Sequence, residues 1–210
     1  ENGRANLRIN KKKFIYLISP NKVYKNFYRD LKEVLKTKKI SFFQMRFKNY
    51  SLKKKIEIGK KIKKICKQTN VKFLVNDSPW LAKEINADGC HLGQKDKSVK
   101  EARELINNKI IGITCHNSLK FARNAINDGA DYIAFGAFFP SKTKKVKYKA
   151  NLQLLKKLKI SANIHVVAIG GINNLNYKKL LLNKADFLAI SGYIWNNKKL
   201  KPVDTIEYLK

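Results

Sequence analysis

Cysteine, long apolar runs and arginine are all scarce in this sequence of 210 residues. The three cysteines, Cys66, Cys90 and Cys115, are too few and too scattered for a disulfide framework, which predicts a protein of the reducing cytoplasm. No apolar run approaches the roughly 20 residues that a helix needs to cross a bilayer, so we expect no membrane partner. Residues 1–13 lack the apolar core of a signal peptide, and we interpret them as a basic N-terminal extension.

The formal net charge is +31, yet only 6 of the 46 basic residues are arginine. A surface that reads nucleic acid uses arginine heavily, because its guanidinium forms paired hydrogen bonds and stacks on bases. Lysine, asparagine and isoleucine share A/T-rich codons, so a drift in genome composition explains the excess of lysine. We expect no specific nucleic-acid partner, with a nucleic-acid-binding protein as the alternative from another functional class.

Strand and helix patterns alternate eight times along the chain. Short apolar runs predict strands at 14–18, 41–46, 73–75, 90–92, 110–114, 132–136, 165–169 and 187–191. Helical periodicity predicts helices at 24–35, 51–68, 79–85, 101–106, 119–126, 152–158, 177–182 and 203–209. Eight such units without a large insertion predict a single (β/α)8 TIM barrel over residues 14–210. A doubly wound sheet is the alternative, but it normally carries a glycine-rich turn after its first strand, where this chain has Ser19-Pro20-Asn21.

The functional residues of such a barrel lie at the C-terminal ends of its strands. The second predicted strand leads into Gln44, Arg46 and Lys48, which alternate along the chain and therefore point the same way. An amide, a guanidinium and an ammonium group together suit a multiply charged phosphate ester. Ordinary solvated charges at a strand end are the competing interpretation.

Two carboxylates follow the next two strands. Asn76 and Asp77 stand at the end of the third strand, and Asp96 comes shortly after the fourth. Carboxylates beside a phosphate site need a cation between them, and Mg²⁺ takes single oxygens from protein while water and phosphate complete its shell. The sequence therefore predicts a Mg²⁺ site, although Asp77 could instead be the N-cap of a helix that starts at Pro79.

The later strands offer a second set of phosphate-binding groups. Thr114 adds a hydroxyl at the end of the fifth strand. Backbone amides that follow the seventh and eighth strands bind phosphate in many barrels. The candidates beyond the sixth, seventh and eighth strands are Ser141, Thr143, Lys144, Gly170, Gly171, Ile190 and Ser191.

Several segments, in order along most of the chain, resemble the thiamine-phosphate synthase family. They are QMRFK (44–48), ND (76–77), ADGCHLGQKD (87–96), IGITCHN (111–117), GADYIAFGAFFPSKTKK (129–145), VAIGGI (167–172) and AISGYI (189–194). The resemblance implies that a hydroxymethylpyrimidine diphosphate condenses with a thiazole phosphate, or its carboxylated form, to give thiamine phosphate and pyrophosphate. It also implies Mg²⁺ as the cofactor and these two small molecules as the partners.

The same resemblance implies a role for each matching residue. The pyrimidine diphosphate ligands would be Gln44, Arg46, Lys48, Asn76, Thr114 and Lys144. The metal ligands would be Asp77 and Asp96. The thiazole phosphate ligands would be Ser141, Lys142, Thr143, Gly171, Ile190 and Ser191. Arg46, Lys48 and Lys144 would stabilise the charge that collects on departing pyrophosphate, so no protein nucleophile is needed.

Four positions depart from the family pattern. Ser78, Ala137, Cys115 and Ser141 stand where we expect an arginine, a proline, a small residue and a threonine. These changes bear on affinity more than on chemistry. The main alternative function is that of the related thiazole tautomerases, which share the barrel and move a proton without coupling two substrates. The diphosphate and metal residues argue against it, because a tautomerase has no diphosphate to ionise.

The remaining residues of interest have simpler interpretations. His116 is expected to be a rim histidine bonded to backbone, with proton transfer as the alternative. We reject zinc at Cys90-His91 and Cys115-His116, because adjacent residues of a strand face opposite ways. Trp80 and Trp195 are expected to be packing groups, with substrate platforms as the alternative. The sequence allows a homo-oligomer and does not fix the oligomeric state.

Overall fold

Eight parallel β-strands close into one barrel in the computed structural model, which describes residue 7 and residues 10–141 and 145–210. Strands that follow each other in the chain are neighbours in the sheet, and the last pairs with the first through Ile190 and Leu17. The strands are β1 Ile15–Ile18, β2 Ile40–Met45, β3 Lys72–Asn76, β4 Gly89–Leu92, β5 Ile110–Thr114, β6 Tyr132–Gly136, β7 His165–Ile169 and β8 Phe187–Ile190. The predicted (β/α)8 barrel is confirmed, and the doubly wound alternative is wrong.

Helices follow the strands around the outside of the barrel. They are α1 Phe27–Lys36, α2 Leu52–Thr69, α3 Pro79–Glu84, α4 Val99–Ile106, α5 Leu119–Asn127, α6 Leu152–Ser161, α7 Tyr177–Leu182, α8 Gly192–Trp195 and α9 Pro202–Ile206. Helical periodicity predicts all of these except α8, because four residues are too few to show a period. None of the described helices is long and apolar enough to cross a membrane.

Side-chain caps start most of the longer helices. Ser51, Ser98, Ser118 and Asn151 each accept the N–H of the residue three positions on. Ser98 also forms a capping box, because the Glu101 carboxylate accepts the backbone N–H of Ser98. Each cap turns the chain away from a strand end and so defines the C-terminal rim of the barrel.

Three aspartates fasten the opposite, N-terminal end of the barrel in the same way. Asp88, Asp131 and Asp186 each follow an alanine and directly precede β4, β6 and β8. Each carboxylate accepts a backbone N–H of the preceding strand, at 2.7, 2.8 and 2.8 Å. The Asp131 carboxylate is fully buried and also pairs with Arg103 at 2.9 Å. These contacts stabilise the base and leave the other rim for function.

The hydrophobic core has two parts, because alternate residues of each strand face opposite ways. One part lies between the barrel and its helices and includes Ile15 and Leu17 of β1. The other fills the barrel interior with Tyr16, Ile18, Phe42, Leu74, Ile110, Tyr132, Ala134, Val167, Phe187 and Ala189. Leu7 packs against this interior cluster, and its carbonyl oxygen lies 2.8 Å from Nε2 of His165. Leu7 therefore contacts the base of the barrel.

Candidate active site

Two carboxyl groups meet at the C-terminal rim, where β3 and β4 end. Burial and the adjacent Asp96 carboxylate raise the pKa of Asp77, while Lys48 and Arg46 act to lower it. The two carboxyl groups lie close enough to share a proton, and the charges of Lys48 and Arg46 lie near enough to act on Asp77. The convergence predicted from neighbouring parallel strand ends is therefore present in the structure, and such a pair either shares a proton or holds a cation.

Backbone contacts fix both members of this pair. The N–H of Asp77 donates to the carbonyl oxygen of His91 on β4 at 2.8 Å. The Asp96 carboxylate accepts the N–H of Gly93 at 2.6 Å. Both residues are thus tied to β4 and its loop, which keeps the two carboxyl groups together.

The helix cap beside this pair is Ser78. Its hydroxyl accepts the N–H of Leu81 at 3.0 Å, and Pro79 occupies the first turn of α3. Asp77 has a positive φ of 66°, a conformation that aspartate tolerates better than most residues. The interpretation of Asp77 as the N-cap is therefore wrong, because the next residue performs that task.

The predicted basic set follows the end of β2 and keeps its alternation. Gln44 is buried on the interior side, whereas Met45 and Phe47 pack in the outer core. Arg46 is half-buried and Lys48 is exposed. Both act on the pKa of Asp77, so the strand end brings its cations to the carboxyl pair.

Ser19, which sequence reasoning missed, holds the backbone of this segment. The N–H of Arg46 donates to its hydroxyl at 2.8 Å, and the hydroxyl donates to the Arg46 carbonyl oxygen at 3.3 Å. Ser19 is itself 3% exposed. The only sequence signal for this role is its position directly after the first strand.

A chain of hydrogen bonds crosses the apolar barrel interior. The Gln44 amide donates to the Tyr16 hydroxyl at 2.8 Å, and that hydroxyl lies 2.6 Å from the Tyr132 hydroxyl. The His91 ring joins the Tyr132 hydroxyl at Nδ1 to the Thr114 hydroxyl at Nε2, each at 2.7 Å. Burial lowers the pKa of His91 to about 4, so its imidazole is neutral at pH 7.

Three members of this chain, Tyr16, His91 and Tyr132, were not predicted as site residues. Tyrosine in a strand is typical of a core residue, and His91 sits among apolar neighbours in the sequence. The available signal was that Tyr16, Gln44 and His91 all occupy inward positions of their strands. Gln44 and Thr114, which were predicted, form the two ends of the chain.

The loops after β6 and β7 lie against each other at the far side of the rim. Gly170 and Gly171 have φ values of 109° and 62°. A Cβ atom on Gly171 would stand 2.3 Å from the carbonyl oxygen of Pro140. Glycine is therefore required for the loop that carries Ser141 to pack against the end of β7. Lys142, Thr143 and Lys144 lie outside the described residues.

The end of β8 joins the first strand. Ser191 donates from its hydroxyl to the Ser19 carbonyl oxygen at 3.1 Å, and the Trp195 indole donates to the Ile18 carbonyl oxygen at 2.7 Å. The Ile190 side chain is buried in the outer core at 2% exposure. Only the main chain of Ile190 can therefore face the rim.

The two Cys-His pairs, Cys90-His91 and Cys115-His116, contain histidines in different surroundings. Cys90 packs in the outer core and His91 faces the interior, as strand alternation predicts. The ring of His116 stacks on Tyr148 at 4.1 Å, and in the described part of the chain it has no hydrogen bond to backbone. Burial and Lys147 lower the pKa of His116.

The two tryptophans also differ. Trp195 packs against Phe27 with ring centroids 5.6 Å apart, which fits the predicted role as a packing group. Trp80 is 45% exposed and belongs to neither core cluster, so its prediction as a packing group is wrong. It lies in the first turn of α3, directly after Pro79, where the helix faces solvent.

Comparison with known proteins gives one consistent result. A family model described as thiamine monophosphate synthase matches residues 15–194. A thiamine-phosphate synthase of Pelagibacter ubique is 64% identical over 200 residues, covering 95% of this chain and 97% of that protein. One of Erythrobacter litoralis is 42% identical and covers 87% and 88%. A solved structure, thiamine phosphate pyrophosphorylase from Pyrococcus furiosus, matches with a TM-score of 0.84 at 30% identity, covering 95% of each chain.

Proposed function

The chain belongs to the thiamine monophosphate synthase family, and we propose how the rim of its barrel carries out the reaction of that family. It is a transferase of thiamine biosynthesis. The reaction condenses hydroxymethylpyrimidine diphosphate with a thiazole phosphate and releases pyrophosphate. Two anionic substrates must therefore be held side by side, and a diphosphate must leave one of them.

The diphosphate subsite lies where β2 to β5 end. Arg46 and Lys48 provide positive charge for the phosphate oxygens, and Asn76 provides an amide beside them. Gln44 and Thr114, at the two ends of the interior chain, provide polar groups for the pyrimidine diphosphate. We assign Lys144 to the same subsite on the resemblance alone.

Asp77 and Asp96 would hold Mg²⁺. The two carboxylates fit this ion, because they are hard oxygen ligands. Burial and their mutual repulsion make a cation between them favourable. In the described part of the chain no third His, Cys, Asp or Glu completes a metal cluster, so the shell must include substrate phosphate or water. Bound there, the ion would neutralise charge between the carboxylates and the diphosphate and help pyrophosphate to leave.

Bond cleavage at the pyrimidine carbon needs charge stabilisation and no protein nucleophile. Arg46 and Lys48 are placed to stabilise the charge that grows on departing pyrophosphate, and Lys144 is assigned the same role. The electron-rich aminopyrimidine carries the resulting cation until the thiazole nitrogen attacks it. Thiolate catalysis has no support, because burial raises the pKa of Cys90 and Cys115 to about 12 and also raises that of Cys66.

The thiazole phosphate subsite lies where β6, β7 and β8 end. Ser141 and Ser191 supply hydroxyl groups, while Gly171 and the main chain of Ile190 supply backbone groups. Lys142 and Thr143 join them by the resemblance. Ser191 contacts Ser19, which in turn contacts Arg46, so this subsite adjoins the diphosphate subsite across the end of β1.

Residues 14–210 form the catalytic domain in this proposal, with residues 1–13 as its extension. The three free, buried cysteines fit a reducing compartment, which supports a place in the cytoplasm. The two phosphate substrates are the partners.

The observation that carries this proposal is the carboxyl pair with raised pKa next to Arg46 and Lys48. The test is to incubate the protein with both substrates and Mg²⁺ and to measure thiamine phosphate and pyrophosphate together. Equal amounts of both products are expected. A protein that only isomerised the thiazole, as a tautomerase does, would release no pyrophosphate and would refute the proposal.

A further inference from the structure

We propose that Gln44, Tyr16, Tyr132 and His91 form a one-way hydrogen-bond chain that makes the Thr114 hydroxyl a donor toward the substrate. His91 and Tyr132 are then positioning residues that act through Thr114. The contact between Thr114 and the diphosphate rests on the proposed function. The direction of the chain concerns the protein alone and can be measured without substrate.

Only two arrangements of the chain give both buried tyrosine protons an acceptor within it, because a tyrosine oxygen that accepts from both neighbours points its own proton out of the chain. Four hydrogen bonds join the five groups, while each tyrosine, the neutral imidazole and the threonine hydroxyl has one proton to give. In the first arrangement the Gln44 amide donates to Tyr16, Tyr16 donates to Tyr132 and Tyr132 donates to His91 Nδ1. Nε2 of His91 then carries the ring proton and donates to Thr114. The proton of Thr114 is left free to point at the rim.

The reverse arrangement exchanges every donor and acceptor, which requires Gln44 to turn its amide oxygen toward Tyr16 in place of Nε2. The Thr114 proton is then bound to His91 Nε2, and the hydroxyl presents only lone pairs to its surroundings. Next to a diphosphate that arrangement is repulsive, whereas the first supplies a hydrogen bond to an anion. The direction in which Gln44 donates is therefore the one that suits an anionic substrate.

The surroundings make this direction persistent. Tyr16 and Tyr132 are each 1% exposed, so water cannot readily exchange with their hydroxyl groups. The rings also hold one another in place: Tyr16 meets Tyr132 edge to face at 5.8 Å, and His91 lies nearly parallel to Tyr132 at 5.7 Å. The orientation of the Gln44 amide thus fixes the tautomer of His91 on the opposite wall of the barrel.

The first test is the tautomer of His91 in the substrate-free protein, read from the ¹⁵N chemical shifts of its two ring nitrogens. The proposal expects a protonated Nε2 and a bare Nδ1. In Tyr132→Phe the donor to Nδ1 is removed, and the preference for the Nε2–H form should weaken or be lost. A wild-type ring with its proton on Nδ1 overturns the proposal, whether or not the protein makes thiamine phosphate.

The second test is a double-mutant cycle between Tyr132→Phe and Thr114→Val. Tyr132→Phe alone should lower kcat/KM for the pyrimidine diphosphate about tenfold to a hundredfold, because Thr114 would then lose its hydrogen bond to the charged diphosphate. If Tyr132 acts through Thr114, it should cost little more once Thr114 is already Val. Fully additive losses would show a merely structural role and refute the chain.

A matched control removes another buried tyrosine hydroxyl, one that bonds to the end of the chain at Lys210 and has no bond to the interior chain. Tyr177 is 1% exposed and accepts the N–H of Lys210, so Tyr177→Phe tests the general cost of losing such a group. It should leave kcat/KM unchanged. If Thr114→Val keeps wild-type activity while His91 shows the Nε2–H form, the substrate contact of Thr114 is wrong and the direction of the chain stands.

Discussion

Replacing Asp77 by asparagine should separate activity from stability. The substitution keeps the shape of the side chain and removes its charge. Asparagine also tolerates the positive φ of 66° at this position, and the cap of α3 is Ser78. The backbone should therefore keep its conformation, and the substitution should act on the affinity for Mg²⁺.

The expected loss of Mg²⁺ affinity follows from charge. A unit charge and a divalent cation about 4 Å apart attract by about 8 kcal/mol at an effective dielectric constant near 20, and the amide oxygen that replaces the carboxylate keeps part of this attraction. Removing Asp77 also relieves its repulsion with Asp96, which offsets part of this energy. A net loss of about 3 kcal/mol corresponds to roughly 100-fold weaker Mg²⁺ binding. Activity at low Mg²⁺ should fall by about that factor, and added Mg²⁺ should restore part of it.

The stability of the metal-free protein should move the other way. The pKa of Asp77 is raised on folding, so its ionised form opposes folding, and stability falls as pH rises through the folded pKa. Asparagine removes that penalty, and the variant without Mg²⁺ at pH 7 should be at least as stable as the wild type. Thermal unfolding in EDTA gives the Tm of each protein.

Ser78→Ala is the matched control. It removes the α3 cap next to the site and should cost about 1 kcal/mol of stability while leaving the Mg²⁺ dependence of the rate unchanged. Thiamine phosphate formation over a Mg²⁺ titration measures both variants. Wild-type Mg²⁺ dependence in Asp77→Asn would refute the metal site.

Four further outcomes can be measured. Gly171→Ala adds a Cβ atom 2.3 Å from a carbonyl oxygen at positive φ, so steady-state kinetics should show a raised KM for the thiazole phosphate with a smaller change for the diphosphate. Asp131→Ala removes the buried carboxylate that pairs with Arg103 at the base of the barrel and should cost about 3 kcal/mol in urea unfolding, with unchanged KM values for the folded enzyme. Lys144→Ala should lower kcat more than substrate affinity in single-turnover experiments; a change confined to KM contradicts its role in pyrophosphate departure. Binding to duplex DNA should weaken steeply with salt and show no sequence preference, and nanomolar binding to one sequence at physiological salt would contradict this.

The sequence predicted the barrel and the carboxyl pair because both depend on strand order. Short apolar runs predict the strands, and parallel neighbours must place Asp77 and Asp96 at the same rim. The choice of cap could not be made, because Asp77 and Ser78 are both good N-cap residues and only the backbone angles decide. The exposure of Trp80 likewise depends on how α3 is rotated against the barrel.

The interior chain escaped prediction for a different reason. Tyr16, His91 and Tyr132 come from strands that are far apart in sequence, and alternation shows only that each points inward. Which hydroxyl meets which ring nitrogen depends on the register between β1, β4 and β6, and a sequence does not give it. The short α8 escaped because a single turn has no periodicity.

The hydrogen bond between Ser19 and Ser191 bears on when the rim of the barrel is completed during synthesis of the chain. Ser191 is among the last rim residues to leave the ribosome, and its bond to Ser19 reaches back across 172 positions to the first strand. In the proposed function the diphosphate subsite, apart from Lys144, draws on β2 to β5 and is synthesised early, whereas the proposed thiazole subsite is complete only when β8 has paired with β1. The residues proposed to bind the diphosphate, Lys144 apart, are therefore synthesised before those proposed to bind the second substrate. Coupling begins only when the two ends of the barrel have met.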